Sequence, residues 1–315
     1  MKLFSNIDLP EVERKISYQS NLFFIGSCFT ENIGNLFKES YFCVQQNPLG
    51  IIFHPFGIEA FFQLVAKEKN TDKSLLLQTD SVWKTYQAHS SVNATSKDEL
   101  IHLIESRLDE TRAFLQQSTH IFISLGTAWG YFLNAASSNK FVVNCHKQPN
   151  HQFTKEIASV QALKESLQNS IQLIRQLTSA KIWFTISPVR HKKDGWTQNT
   201  RSKSHLFAAL HECIDKSDDL HYFPAYEIMM DELRDYRFYD KDLVHPNSLA
   251  IDYLWEKIQT NFIDEASQKL LEQVEAYRKL HQHRPQHQAN FENHIRKVEE
   301  LKNKLTLQGV NIKDE

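Results

Sequence analysis

The sequence predicts an α/β fold: a three-layer α/β/α sandwich around a mainly parallel five-stranded sheet, followed by a C-terminal helical hairpin. Three observations predict it. Short apolar runs alternate with amphipathic stretches along most of the chain. Its 315 residues suffice for a sizeable buried core. Beyond residue 260 the periodicity changes, which divides the chain into a main domain, 1–260, and a helical extension, 261–315.

The elements follow in order. Asn21-Leu-Phe-Phe-Ile25 is an apolar run stopped by Gly26, and Ile33, Leu36 and Phe37 then recur at helical spacing between Thr30 and Ser40. This is a strand, a tight turn and a helix. A second strand, Tyr41 to Gln45, runs into Asn47-Pro-Leu-Gly50, and a Phe-rich helix follows from Gly57 to Lys67. Residues 68–96 read as an insertion with a hairpin at Val82 to Gln87. A helix from Lys97 to Gln117 leads into the third strand, His120 to Ser124. Lys140 to Asn144 reads as another short strand. Leu163, Leu167, Ile171, Ile174 and Leu177 line one face of a long helix ahead of the fourth core strand, Lys181 to Ser187. A helix from Ser202 to Lys216 and a fifth strand, His221 to Phe223, complete the alternation. In the tail, Leu270, Leu271, Val274, Tyr277 and Leu280 form one stripe. Phe291, Ile295, Val298, Leu301 and Leu305 form another, with the break at His283-Arg-Pro285. That face is expected to dock on the main domain or to make a homodimer.

Composition excludes several classes. Lys and Arg total 36 against 38 Asp and Glu, a net charge of −2, so a general nucleic-acid binder is not expected. The most apolar region, 121–136, is too short and too interrupted for a membrane helix and reads as core. No apolar leader with a cleavage site opens the chain, so a cytoplasmic location is expected. The cysteines Cys28, Cys43, Cys145 and Cys213 form no C-x-x-C pair, which argues for reduced thiols and against a zinc site. No glycine-rich phosphate loop is present, and no cofactor is expected.

Two motifs carry chemistry. Ile25-Gly-Ser-Cys-Phe-Thr30 puts Ser27 at the junction of the first strand and first helix, where helix N–H groups can hold an oxyanion. The alternative is a serine that caps the helix. Asp242-Leu-Val-His245 places a carboxylate three residues before an imidazole, the spacing of a base and its orienting partner. The alternative there is a surface histidine.

The order of these two motifs resembles the SGNH (GDSL-like) hydrolase superfamily. Gly26-Ser-Cys-Phe29 resembles more closely the GSCFA domain family, which normally has Ala where Thr30 stands. The likeness continues through Asn47-Pro-Leu-Gly50, Gly126-Thr-Ala-Trp129, Asn144-Cys-His-Lys147, Ser187-Pro-Val-Arg-His191, Asp194-Gly195 and Asp242-Leu-Val-His-Pro246, covering residues 10–260. It implies a flavodoxin-like sheet, Ser27 as nucleophile, His245 as general base and then acid, and Asp242 as its partner. It also implies an oxyanion hole of the Ser27 N–H, the Gly50 N–H and an asparagine. The asparagine's position holds Ala128, and Thr127, Asn144 or His146 are the polar residues that could replace it. Loss of such a donor costs about 10²–10³ in rate.

Arg190 and His191 fall at the end of the fourth strand, where a guanidinium could meet an anionic substrate group or pair with a structural carboxylate. Cys28 is a rival nucleophile, or a buried small hydrophobe. Trp129, Tyr131 and Trp196 could stack on a sugar or fill the core. His281, His283, His287 and His294 lack metal-ligand spacing and read as solvated. The expected activity is a serine esterase acting on a small-molecule or carbohydrate ester. An acyltransferase with the same triad, a non-catalytic binding protein and a thiol enzyme are the alternatives.

Overall fold

The computed structural model describes residues 5–79, 81–134, 139–216, 219–283 and 291–312. Positions 135–136 of the apolar region, Arg284 and Pro285 of the tail break, and His287 lie outside them. The chain runs β1 (Asn21–Ile25), α1 (Cys28–Glu39), β2 (Cys43–Gln46), α2 (Pro55–Val65), β3 (Leu76–Thr79), β4 (Val82–Thr85), α3 (Lys97–Gln116) and β5 (His120–Leu125). It continues through β6 (Trp129–Asn134), β7 (Asn139–Val142), β8 (Phe153–Ile157), α4 (Val160–Leu177), β9 (Lys181–Ile186), α5 (Trp196–Ile214), β10 (Leu220–Tyr222) and the one-turn α6 (Ala225–Glu227). The last helices are α7 (Ser248–Phe262), α8 (Glu265–Gln282) and α9 (Phe291–Leu307).

The central sheet has the order β10-β9-β5-β1-β2, and every neighbouring pair is parallel. Counted along this sheet alone the order is 2-1-3-4-5, so chain direction reverses between β1 and β5, and ligands of such sheets sit beyond the strand ends there.

Side-chain alternation in the strands makes three layers. Phe23, Ile25, Ile121, Ile123, Ile182 and Phe184 face one core with residues of α2, α3, α4 and α5. Leu22, Phe24 and Trp183 face the other with Phe29, Ile33 and Phe37 of α1 and Leu254, Ile258 and Phe262 of α7. Each such buried side chain is worth roughly 1.5–3 kcal/mol. Local signals fix the helix starts. Ser96 and Glu99 form a reciprocal capping box at α3, and Pro55 follows the His54 cap of α2.

The structure adds detail that the periodicity does not carry. The short strand expected at Lys140 to Asn144 is β7, and it pairs with β6, which pairs in turn with β8 in a separate antiparallel sheet. This excursion leaves β5 at Gly126 and returns at α4. The hairpin of the 68–96 insertion, expected at Val82 to Gln87, instead spans Leu76 to Thr85 as β3–β4, so the expected range holds only its second strand. Helix α5 begins at Trp196, six residues before the apolar periodicity starts. The tail docks on the main body: Leu271, Val274, Tyr277, Leu305 and Val310 are buried in one cluster with Ile16, Phe37 and Phe42. No helix among the described residues is long and apolar enough to cross a membrane.

Candidate active site

Ser27 stands between β1 and α1 because Gly26 permits a turn that no other residue could make there. Gly26 has φ +147°, and a Cβ on it would lie 2.4 Å from the Ser124 carbonyl oxygen of β5. Asn47 braces the turn, its Oδ1 accepting from Gly26 N–H at 3.0 Å while its own N–H reaches Phe24 O. Ser27 occupies the N-cap position of α1, yet its side chain makes no capping bond. Its hydroxyl runs sideways instead, bonding Ser124 Oγ at 2.9 Å and Ser187 Oγ at 3.0 Å. Three serines from the ends of β1, β5 and β9 thus meet in a buried row, with Ser27 only 4% exposed.

His245 is held by a tight loop. Asp242 Oδ1 accepts from the N–H groups of Val244 and His245 at 2.9 and 3.0 Å, and Oδ2 pairs with His245 Nδ1 at 2.6 Å. These hydrogen bonds, the His245 N–H first, hold the Asp242 carboxyl down at about 2. Leu243 takes φ +62° to close the loop. The imidazole is half-exposed. The loop is tied to the end of β9, where Arg190 N–H donates to Val244 O at 3.4 Å, three residues after Ser187. Ser27 and the Asp242–His245 pair therefore share the carboxyl edge of the sheet. Among the described residues no hydrogen bond joins Ser27 to His245.

A sequence model of the GSCFA family matches residues 21–258. The chain belongs to the GSCFA family. The match starts at the first residue of β1 and ends inside α7, so it spans the sandwich and leaves out α8 and α9. A comparison with curated proteins found no significant match.

The other candidates of this GSCFA chain divide. Gly50, at φ +77°, uses its N–H to close the turn onto Asn47 O at 2.7 Å. Thr127 Oγ1 bonds Ser202 Oγ at 2.9 Å and accepts from Trp129 N–H. Asn144 Oδ1 accepts from His146 N–H, and His146 Nε2 bonds Thr85 O at 2.7 Å, which ties that loop to the β3–β4 hairpin. His191 packs on Phe53 at 5.5 Å, and burial, with Lys203 adding to it, brings it down to about 4, so it is neutral at pH 7. Burial pushes the Cys28 thiol up, which weakens it as a nucleophile. Lys155 lies over Trp129 and Tyr131 and pairs with Asp194, so both rings are engaged by protein groups. Among the described residues no group of three or more His, Cys, Asp or Glu is gathered to hold a metal ion.

Sequence reasoning missed Lys203. It lies on the buried face of α5 with Asn199, Leu206 and Leu210, only 2% exposed, and its ammonium donates to Gly126 O and Ser187 O, both at 2.7 Å. One side chain therefore clamps the loops after β5 and β9, directly beside the serine row. Burial holds it down at about 7. The signal was available: a lysine at i+4 from Asn199 and i−3 from Leu206 sits on the apolar stripe, where a solvated lysine has no place.

Proposed function

We propose that this protein is a serine acyl hydrolase of SGNH type, in which Ser27 attacks an ester carbonyl. His245 takes the hydroxyl proton and returns it to the leaving alkoxide, while Asp242 fixes the tautomer and steadies the imidazolium. Water then releases the acyl group from Ser27, or an alcohol does so in an acyltransferase that uses the same residues. The single observation that carries this reading is the anchoring of the Asp242–His245 loop through Val244 O to Arg190 N–H, three residues from the serine that holds Ser27. The sheet order and the place of Ser27 in its first βα turn support it further.

The chemistry requires Ser27 to change hydrogen-bond partners. Ser27 must leave Ser124 and Ser187 and turn toward His245 Nε2, and catalytic hydrogen bonds are often unformed before substrate binds. The N–H groups of the first turn of α1, where Cys28 and Phe29 N–H lie against the Cys28 sulfur, are the donors offered to the developing oxyanion. A second reading, a binding protein that keeps the fold without turnover, is favoured by the same serine row, since a nucleophile locked in it stays inert.

Fluorophosphonate labelling with mass mapping tests the proposal. An adduct on Ser27 that disappears in His245→Ala is the expected result, with turnover of aryl acetates lost by about 10³-fold or more in Ser27→Ala. An unlabelled Ser27 favours the binding protein. Turnover that survives Ser27→Ala but stops with iodoacetamide transfers the role to Cys28.

A further inference from the structure

Arg190 is the unexplained group at this edge. Its guanidinium lies over the Trp196 ring, Cζ 4.3 Å from the ring centroid, and its Nε is buried without a hydrogen-bond partner. Among the described residues the guanidinium donates no hydrogen bond and has no carboxylate in ion-pair range. The expected structural alternative, an arginine paired with an acid of the fold, is therefore not what stands here. Its charged neighbour is Lys203, and the two cations repel each other. Tyr226 and Tyr239 lie close enough to feel its charge. Leaving the buried Nε donor unmet is costly, and a fork-shaped donor set matches a carboxylate or phosphate in two parallel hydrogen bonds.

We propose that Arg190, held on Trp196, receives an oxyanion of the substrate, so that the ester this site accepts carries a carboxylate or a phosphate near its acyl bond. The inference rests on the acyl-transfer reading for the position of the ester. Its geometry follows from the chain: the Arg190 backbone bridges Ser187, which holds Ser27, and Val244, which precedes His245. A group bound at the guanidinium therefore orients the rest of the molecule toward Ser27. Trp196, 44% exposed, leaves that approach open to solvent.

The test compares para-nitrophenyl hemisuccinate with para-nitrophenyl butyrate, esters of similar length that differ in the terminal carboxylate. The wild-type ratio of kcat/KM is expected to favour the hemisuccinate by about tenfold or more, and Arg190→Ala to lower that ratio by about tenfold or more. Arg190→Lys, which keeps the charge and loses the fork, is expected to hold an intermediate ratio and serves as the variant of record if Arg190→Ala does not fold. A wild-type preference for the butyrate, or a ratio unchanged by both substitutions, overturns the proposal. Fluorophosphonate labelling of Ser27 runs in parallel. If Ser27 takes no adduct and neither ester is cleaved, the acyl reading fails, and Trp196 fluorescence decides the anion site alone. A saturable change on titration with succinate or inorganic phosphate, absent in Trp196→Phe and in the Arg190 variant, sustains it. No change with either anion overturns it. Response to one anion only assigns carboxylate or phosphate.

Discussion

Asp242 spends both oxygens on one short loop, two backbone N–H groups and the His245 ring, and so works as a mould for the histidine as much as a charge beside it. Because its folded value is depressed from 3.8 to about 2, the loop keeps its geometry above pH 4 and loses it only as the pH falls from there through about 2. Asp242→Asn is expected to lower kcat by about 10²–10⁴-fold with little change in thermal stability, measured on any ester the wild type cleaves. Lys203 gives a pH dependence of the same sign in a higher window, although here burial disfavours the charged form. Its unfolded form stays protonated to about pH 10.5 while the buried form gives up its proton at about 7, so the unfolded chain binds more protons in that window and stability gains with rising pH. Lys203→Met leaves Gly126 O and Ser187 O unpaired, at an expected cost of about 2–5 kcal/mol in denaturant unfolding. The wild-type advantage over this variant should widen between pH 7 and 10, and a constant difference would contradict the assigned burial effect.

At the scale of elements, the junction of β1 and α1 has no slack. Gly26→Ala would place a methyl carbon against the β5 backbone at an unfavourable φ, and a loss of about 3 kcal/mol or more in unfolding free energy is expected, with loss of Ser27 labelling. Elements with a clean period were legible in the sequence: β1, α1, α3, β5, α4 and β9 stand within a few residues of their expected bounds. What failed to show had a physical cause. The β6 and β8 strands carry aromatic and charged residues in mixed order, because their sheet packs only partly, and no alternation marks them. The first turns of α5 after Trp196, Thr197 to Arg201, are polar because most of their side chains are exposed rather than packed in a core. The serine row was beyond reach for another reason, since Ser27, Ser124 and Ser187 are 97 and 160 residues apart and meet only through parallel strand pairing. The Ser27 and Asp242–His245 motifs were readable individually, and their common edge needed the sheet order.

For the whole molecule, the two hydrophobic clusters decide how it unfolds. Residues of α8 and α9 share a cluster with β1, α1 and α7, so the division at residue 260 is one of periodicity rather than of packing. A single calorimetric transition is expected, and Leu305→Ala, which opens a cavity where the last helix meets the body, should cost about 2–4 kcal/mol and lower that one transition as a unit. Two separate transitions would show that the tail stands alone. The antiparallel ribbon β6–β7–β8 is joined differently. It hangs between β5 and α4, closed at its base by Ala158 N–H to Ala128 O and fastened by Lys155 to Asp194 and by Val143 N–H to Tyr86 O, and among the described residues it shares no ladder bond with the parallel sheet. Sequence change along the described strands β6, β7 and β8 thus leaves the pairing register of the parallel sheet untouched, and is limited by side chains such as Val143 and Ile157 that rest on the main core.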